Sequence, residues 1–354
     1  MTMYPNYLAF ARAHFGTARF NFALSGEHRA ACLREPDAAG RPGAVEELRR
    51  ALADFLSRDA SEVVPCLGTS QAMSLAAACL KGEKSVAALE SPIYEPLRFA
   101  FDSAHGPRVS IERAARDDYA LPRTLDASVQ NADIIVLTNP NNPTGAATSD
   151  EALKELLSGF RGSVVVDDVY APFDDYLIDG KWPGRARDLH PNAWVLGSLT
   201  KAFGVGPYRV GWLIVPPEAR AAVDEQMVRA VGELPAAWAT SALQILEQIP
   251  AVAREMKSTL AERKSVVVGA LQAVPGLDVF VPARGPYCWV RLPEINDVFA
   301  HVQRWAREDG LVVSPGLFFG APHGMRVSWT APLAQLRLGT PLLQTRLREL
   351  IGSK

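Results

Sequence analysis

The run Ile134-Ile135-Val136-Leu137-Thr138 is followed at once by Asn139-Pro140-Asn141-Asn142-Pro143-Thr144-Gly145. Five apolar or β-branched residues without polar alternation predict a strand buried on both faces. The Pro- and Asn-rich stretch after it predicts a turn. The same unit recurs along the chain. Val86 to Leu89 precedes Glu90-Ser91-Pro92, Val164 to Val166 precedes Asp167-Asp168, and Trp194 to Gly197 precedes Ser198. Helical stretches fill the intervals. Ala44 to Leu56 sets Val45, Leu48, Leu52 and Phe55 at helical spacing with Glu46, Arg49 and Arg50 between them, and Gln71 to Lys81 forms a second helix ended by Gly82. Short apolar strands alternating with helices predict an α/β fold. Its mostly parallel central sheet carries helices on both faces. Ile214 and Val215 continue a further strand after Gly211.

The tail follows another rhythm. A helix from Ala251 to Ala273 precedes Pro275-Gly276. Then come Val279 to Val281, Tyr287 to Leu292, a helix from Val298 to Glu308 and a strand from Arg326 to Trp329. This predicts a small α+β C-terminal domain. The expected organisation is an N-terminal segment (1–43), a large domain (44–250) and a small domain (251–354).

With 354 residues and 48% apolar content, the chain can bury a large core. The net charge of −2 has no acidic or basic block behind it, so neither nucleic acid nor an anionic membrane is an expected partner. No apolar run approaches the roughly 20 residues that span a bilayer. Met1 to Phe15, interrupted by Arg12 and His14, lacks the signal-peptide pattern. Cys32, Cys66, Cys79 and Cys288 form no close pair and read as reduced thiols, which points to the cytoplasm. The histidines are scattered, so no metal site is expected.

In a parallel sheet, ligands collect at the carboxyl ends of the strands. Lys201, in Ser198-Leu199-Thr200-Lys201-Ala202-Phe203-Gly204, lies just past one such end. If buried, its amine loses its proton readily and becomes nucleophilic; the plainer alternative is a surface lysine. Asp167 ends an apolar strand, where a carboxylate must be paired or functional. Asp168 points to the opposite face, because side chains alternate along a strand. Gly68-Thr69-Ser70-Gln71 opens a helix, and its backbone N–H groups with the Thr69 and Ser70 hydroxyls suit an anion; plain N-capping is the alternative. Tyr94 follows a strand end, where its ring can stack on a flat ligand or pack in the core. Gly204, Gly206 and Gly211 are wrongly spaced for a dinucleotide fingerprint, and Gly82-Glu83-Lys84-Ser85 lacks the first glycine of a phosphate loop.

Taken together, Asn139 to Gly145, Asp167-Asp168-Val169-Tyr170, Ser198 with Lys201 and Arg209, and Ser314-Pro315-Gly316 before Met325-Arg326-Val327-Ser328 resemble fold-type I enzymes of the class I/II aminotransferase family. The resemblance runs from about Ala44 to Trp329. It implies pyridoxal 5'-phosphate (PLP) held as a Schiff base on Lys201. It also implies that Asp167 meets the pyridine nitrogen, and that Asn142 and Tyr170 meet the 3-oxygen. Thr69, Ser70, Gln71 (by its backbone), Ser198 and Arg209 would hold the phosphate, and Tyr94 would stack on the ring. Arg326, with Asn142 and the backbone of Gly26, would hold the substrate carboxylate. The implied catalytic set is Lys201, Asp167 and Tyr170.

The implied reaction moves the amino group of an α-amino acid to a 2-oxo acid, in a homodimer. Lyase, cyclase or decarboxylase chemistry on the same scaffold is the alternative, and a PLP-binding regulator is a remoter one. His28, Arg29, Arg284 and Tyr287 are candidates for selecting the substrate side chain. Cys32 to Gly43 contains no Tyr where relatives carry one that reaches the neighbouring subunit, and Asp168 stands where Glu is commoner.

Overall fold

The computed structural model describes residues 6–37, 39–101, 109–174 and 186–352. Residues 1–5 and 38 of the expected N-terminal segment and the final residues 353–354 fall outside them. A seven-stranded sheet forms the centre. Its strands are β2 (Val63–Leu67), β3 (Ala87–Ser91), β4 (Val109–Glu112), β5 (Ile134–Thr138), β6 (Ser163–Asp167), β7 (Ala193–Ser198) and β8 (Val210–Ile214). They lie in the order β2-β8-β7-β6-β5-β3-β4. The pairs from β4 through β7 are parallel, and β8 runs antiparallel to both β7 and β2.

Every residue of β5 is buried, as its unbroken apolar run predicts. Each buried Ile, Val or Leu there contributes roughly 1.5–3 kcal/mol. The side chains divide between the two faces. Val164 and Val166 pack with Leu153, Leu156 and Leu157 on one side, while Val165 packs with Ala72, Leu75 and Leu97 on the other. Near β8, helix α2 (Ala44–Leu56) and a long helix, Ala236–Gln272, cover the sheet through Leu48, Leu52 and Ile245. Helices therefore lie on both faces. The long helix begins fifteen positions before the expected Ala251 and passes through Pro250. A proline removes a single N–H from the helical ladder. Ile245, Ile249, Val252 and Met256 are buried on either side of it, and that packing keeps the helix continuous.

The C-terminal part carries a four-stranded antiparallel sheet of β9 (Asp278–Phe280), β10 (Tyr287–Arg291), β12 (Ser314–Pro315) and β13 (Gly324–Ser328). The N-terminal residues join this part rather than trailing as an arm. Strand β1 (Phe20–Asn21) pairs in parallel with β11 (Leu311–Val312). Helix α1 (Asn6–His14) sends Tyr7 and Phe10 into the same core as Trp305, Phe318 and Leu343. The sequence reading did not contain α1, β1, β2 or the last helix, Leu333–Gly352.

The carboxyl ends of β3, β4 and β5 are tied by one buried ion pair. Arg113 Nε donates to Glu90 at 2.6 Å, and both side chains are fully buried. Glu90 also accepts from the Thr138 backbone N–H at 2.7 Å and from the Thr138 hydroxyl. Removing one partner of such a pair leaves an uncompensated charge in the interior. Arg113→Met is expected to lose about 3–5 kcal/mol of stability in urea denaturation, and adding Glu90→Gln should recover part of that loss.

Candidate active site

At the carboxyl ends of β6 and β7 the structure brings Asp167 and Lys201 together. Asp167 is buried and receives a backbone N–H from Val169 at 3.1 Å. No ion pair to it is found among the described residues. Burial pushes its carboxyl up from 3.8 to about 7, and the nearby Lys201 charge only partly opposes this. Lys201 is half-buried, with Nζ 3.3 Å from the Ser25 hydroxyl. Burial first, and then the Arg326 and Arg209 charges, pull its amine down to about 8. A weakened acid thus sits beside a weakened base, and neither neutralises the other outright. Asp168 faces elsewhere. It lines a cleft with Asp117, Asp118 and Arg284, as side-chain alternation along β6 requires.

A cluster of donors surrounds the start of α3 (Thr69–Leu80). The Thr69 hydroxyl donates to Ser198 Oγ at 3.0 Å, and Ser198 and Thr200 hydroxyls lie 2.7 Å apart. The Ser70 side chain is exposed at the same helix end, and Arg209 NH2 reaches its oxygen at 3.5 Å. The Gln71 side-chain oxygen accepts from the Leu67 N–H at 2.6 Å, and its backbone, the part expected to act, lies at the helix start. Two backbone features admit Arg209. Its own φ is +55°, an unusual value for a residue with a side chain, and Gly68 leaves the space where a Cβ would meet Arg209 NH2 at 2.6 Å. An exposed guanidinium and four hydroxyls at a helix N-terminus suit an anion.

Arg326, on β13, is fully buried. It donates to Asn142 Oδ1 at 2.6 Å, to the Ala23 carbonyl at 3.0 Å, to Ser314 Oγ at 3.2 Å and to the Tyr7 hydroxyl at 3.1 Å. Its guanidinium also lies 4.9 Å from the Tyr287 ring centre and 5.2 Å from that of Phe319. Tyr170 is buried edge-on to Tyr287, with centroids 5.2 Å apart. Tyr94, half-buried, meets Tyr7 edge-on at 5.3 Å. A Cβ on Gly26 would stand 3.3 Å from Lys201 Cδ, so the glycine lets the backbone approach the lysine. Every residue expected in the site lies among the described ones.

The family model for class I and II aminotransferases matches residues 37–337. The chain belongs to this family. A probable aspartate/prephenate aminotransferase of Aquifex aeolicus is 24% identical over 365 residues, covering 95% of this chain and 91% of that protein. A histidinol-phosphate aminotransferase of Gloeobacter violaceus is 28% identical over 297 residues, covering 82% of this chain and 78% of that one. The crystal structure of a PLP-dependent aminotransferase from Streptococcus suis shares the fold, with a TM-score of 0.81 at 15% identity over 99% of both chains. PLP is the cofactor of such aminotransferases, and the site fits it. A buried carboxyl without an ion pair suits a ring N–H, a half-buried amine suits an aldehyde, and the Arg209 cluster suits a phosphate.

Of the candidate side-chain selectors, Arg284 lies in the Asp168 cleft. Arg29 donates to the Tyr208 hydroxyl at 2.8 Å and pairs with Glu35 at 2.9 Å. His28 is half-buried, and its Nδ1 lies 3.1 Å from the Thr330 carbonyl. Burial lowers its pKa.

The sequence reading missed several residues that shape the aminotransferase site. Tyr7 comes from a segment that gives no signal until the chain folds, and Ser25 and Ser314 had no role of their own in the sequence reading, although Ser314 lies in a stretch that carries the resemblance. Arg263 and Glu27 form a fully buried pair at 2.5 Å. The Glu27 N–H donates to the Lys201 carbonyl at 2.7 Å, so this pair holds the backbone of the lysine.

In the cofactor-free protein, Asp167 retains a proton between pH ~4 and ~7 that the unfolded chain has lost. Its raised pKa therefore favours folding at low pH, and the benefit fades as pH rises to about 7. Asp167→Asn should remove only the Asp167 share. Urea denaturation is expected to show the variant gaining on the parent protein steadily from pH 4 to pH 7.

Proposed function

We propose that the site residues act as follows, with Lys201 as the amine that binds the cofactor and then moves the substrate proton. The carrying observation is the placement of a lysine with pKa about 8 and an acid with pKa about 7 in one site, with Arg326 acting on the lysine charge. Bound PLP supplies an aldehyde for the amino group and a protonated ring that withdraws electrons from Cα. Asp167 meets the ring N–H and keeps it charged. Thr69, Ser70, the Gln71 backbone, Ser198 and Arg209 hold the phosphate. Tyr94 flanks the ring, and Tyr170 and Asn142 donate to its oxygen.

Arg326 fixes the α-carboxylate, so the Cα–H bond can stand perpendicular to the ring. Decarboxylation would need the carboxylate in that position. Lys201, with a pKa near the working pH, would take the Cα proton and hold it for return during the exchange. A 2-oxo acid would receive the amino group at the same site. Gly26 leaves room beside Lys201 for this exchange.

We also propose a homodimer acting in the cytoplasm, divided into a segment (1–43), a large domain (44–250) and a small domain (251–354). The dimer is inferred from the family, and the location from four free cysteines. Light scattering should give twice the chain mass at micromolar concentration, and a monomer would overturn the dimer.

Borohydride treatment of the holoenzyme should fix the cofactor to Lys201, read by peptide mass mapping; attachment to another lysine refutes the assignment. Mixing the holoenzyme with its amino-acid substrate, without a 2-oxo acid, should convert the cofactor once per site to pyridoxamine phosphate. Continued turnover with PLP intact would mean lyase or cyclase chemistry instead.

A further inference from the structure

Tyr7 lies 319 positions from Arg326 in sequence, yet its hydroxyl accepts from Arg326 NH2 at 3.1 Å. We propose that Tyr7 is a substrate-contacting residue, which donates its hydroxyl proton to the carboxylate that Arg326 binds and so couples helix α1 to the occupied site. The inference rests on the reading of Arg326 as the carboxylate clamp.

The argument begins with the hydrogens of the guanidinium. A guanidinium offers a carboxylate two forks, one from Nε with NH2 and one from NH1 with NH2. Both forks use NH2. That nitrogen has two hydrogens and faces three protein acceptors, the Ala23 carbonyl at 3.0 Å, the Tyr7 hydroxyl at 3.1 Å and Ser314 Oγ at 3.2 Å. NH1 is engaged by Asn142 through one of its hydrogens. Nε is buried and has no acceptor among the described residues. A carboxylate can complete a fork only if NH2 releases one of its acceptors.

Tyr7 is the acceptor able to let go. The Ala23 carbonyl is backbone and can only accept, and the Ser314 hydroxyl already donates to that carbonyl at 3.2 Å. The Tyr7 oxygen accepts from Arg326, and its own proton has no acceptor among the described residues. Turning that O–H toward the carboxylate frees an NH2 hydrogen and adds a donor in the same movement. The substrate anion then meets a neutral hydroxyl beside the guanidinium, and neither oxygen is left unsatisfied in a buried place.

The ring holds this hydroxyl in position. Tyr7 is 6% exposed and packs edge-on against Tyr94, Phe318 and Phe15 at 5.3, 5.9 and 6.3 Å. Its backbone N–H donates to Glu95 Oε2 at 2.6 Å, which ties the start of α1 to the segment after β3. The hydroxyl cannot leave Arg326 far behind unless α1 moves as a whole.

The test compares the holoenzymes of the parent protein, Tyr7→Phe and Arg326→Lys. Tyr7→Phe keeps the ring packing and loses only the hydroxyl. For the best amino acid of a substrate panel and for its 2-oxo acid, KM should rise about tenfold in Tyr7→Phe with kcat within about twofold, the scale of one hydrogen bond to a charged group. Succinate and 3-phenylpropionate carry a carboxylate without an amino group. Their dissociation constants, read from the cofactor absorbance, should rise by the same factor while the melting temperature stays near that of the parent protein. Unchanged KM and dissociation constants in Tyr7→Phe, with losses in Arg326→Lys, would overturn the role of Tyr7 and leave the clamp standing. No loss in either variant would overturn the clamp reading itself. A loss in Tyr7→Phe that accompanies a lowered melting temperature, with dissociation constants unchanged, would show a structural role and also overturn the proposal.

Discussion

Arg326 carries a full positive charge at a place with no exposed surface, and everything that satisfies it comes from somewhere else in the chain. Asn142 comes from the loop after β5, Ala23 and Tyr7 from the N-terminal segment, and Ser314 from a neighbouring strand of the small sheet. A charge moved out of water is stable only if it is hydrogen-bonded on arrival. The requirement therefore acts as a clamp on three separate parts of the chain. It brings the N-terminal residues into the C-terminal core and sets the small sheet against the carboxyl ends of the large one.

Two more buried pairs extend the same logic. Glu90 with Arg113 locks the ends of β3 and β5, and Thr138 passes that anchorage on through a 2.9 Å bond from the Asn142 N–H to its hydroxyl. Glu27 with Arg263 holds the segment whose backbone meets Lys201. In these pairs each charge has its counter-charge, and the gain is position. Asp167 and Lys201 differ. They lie close enough for each to influence the other's proton, but the lysine amine contacts Ser25 and the carboxyl takes a backbone N–H. Burial without a strong partner pushes their pKa values toward neutrality, the range in which a proton can be taken up and given back. The scaffold thus uses its paired charges for geometry and leaves a buried acid and a base without strong partners at the strand ends.

Much of the large domain is legible in the chain itself. Ile134 to Thr138 reads as a buried strand because no polar residue interrupts it, and it folds as one. The residues proposed to hold the cofactor are legible for a related reason. Lys201, Asp167, Ser198 and Asn142 each sit where an apolar strand stops, and a parallel sheet sends all such stops to one edge. Other elements left no such trace. Phe20–Asn21 is too short to show any period, and Pro250 looks like a boundary although buried residues on both sides carry the helix through it.

Local pattern therefore determined the α/β class, the strand ends and the lysine and aspartate that stand at them, while Arg326 came from the resemblance alone. The tertiary structure alone decided what surrounds them. Periodicity and turn chemistry report on neighbours a few residues apart. The contacts of Arg326 with Tyr7 and Asn142, and of Arg263 with Glu27, span 319, 184 and 236 positions. No short window of sequence contains both ends of such a contact. Whether a buried charge finds its partner, and which hydroxyl comes to lie against Arg326, depends on packing that exists only once the two sheets and the N-terminal helix have come together.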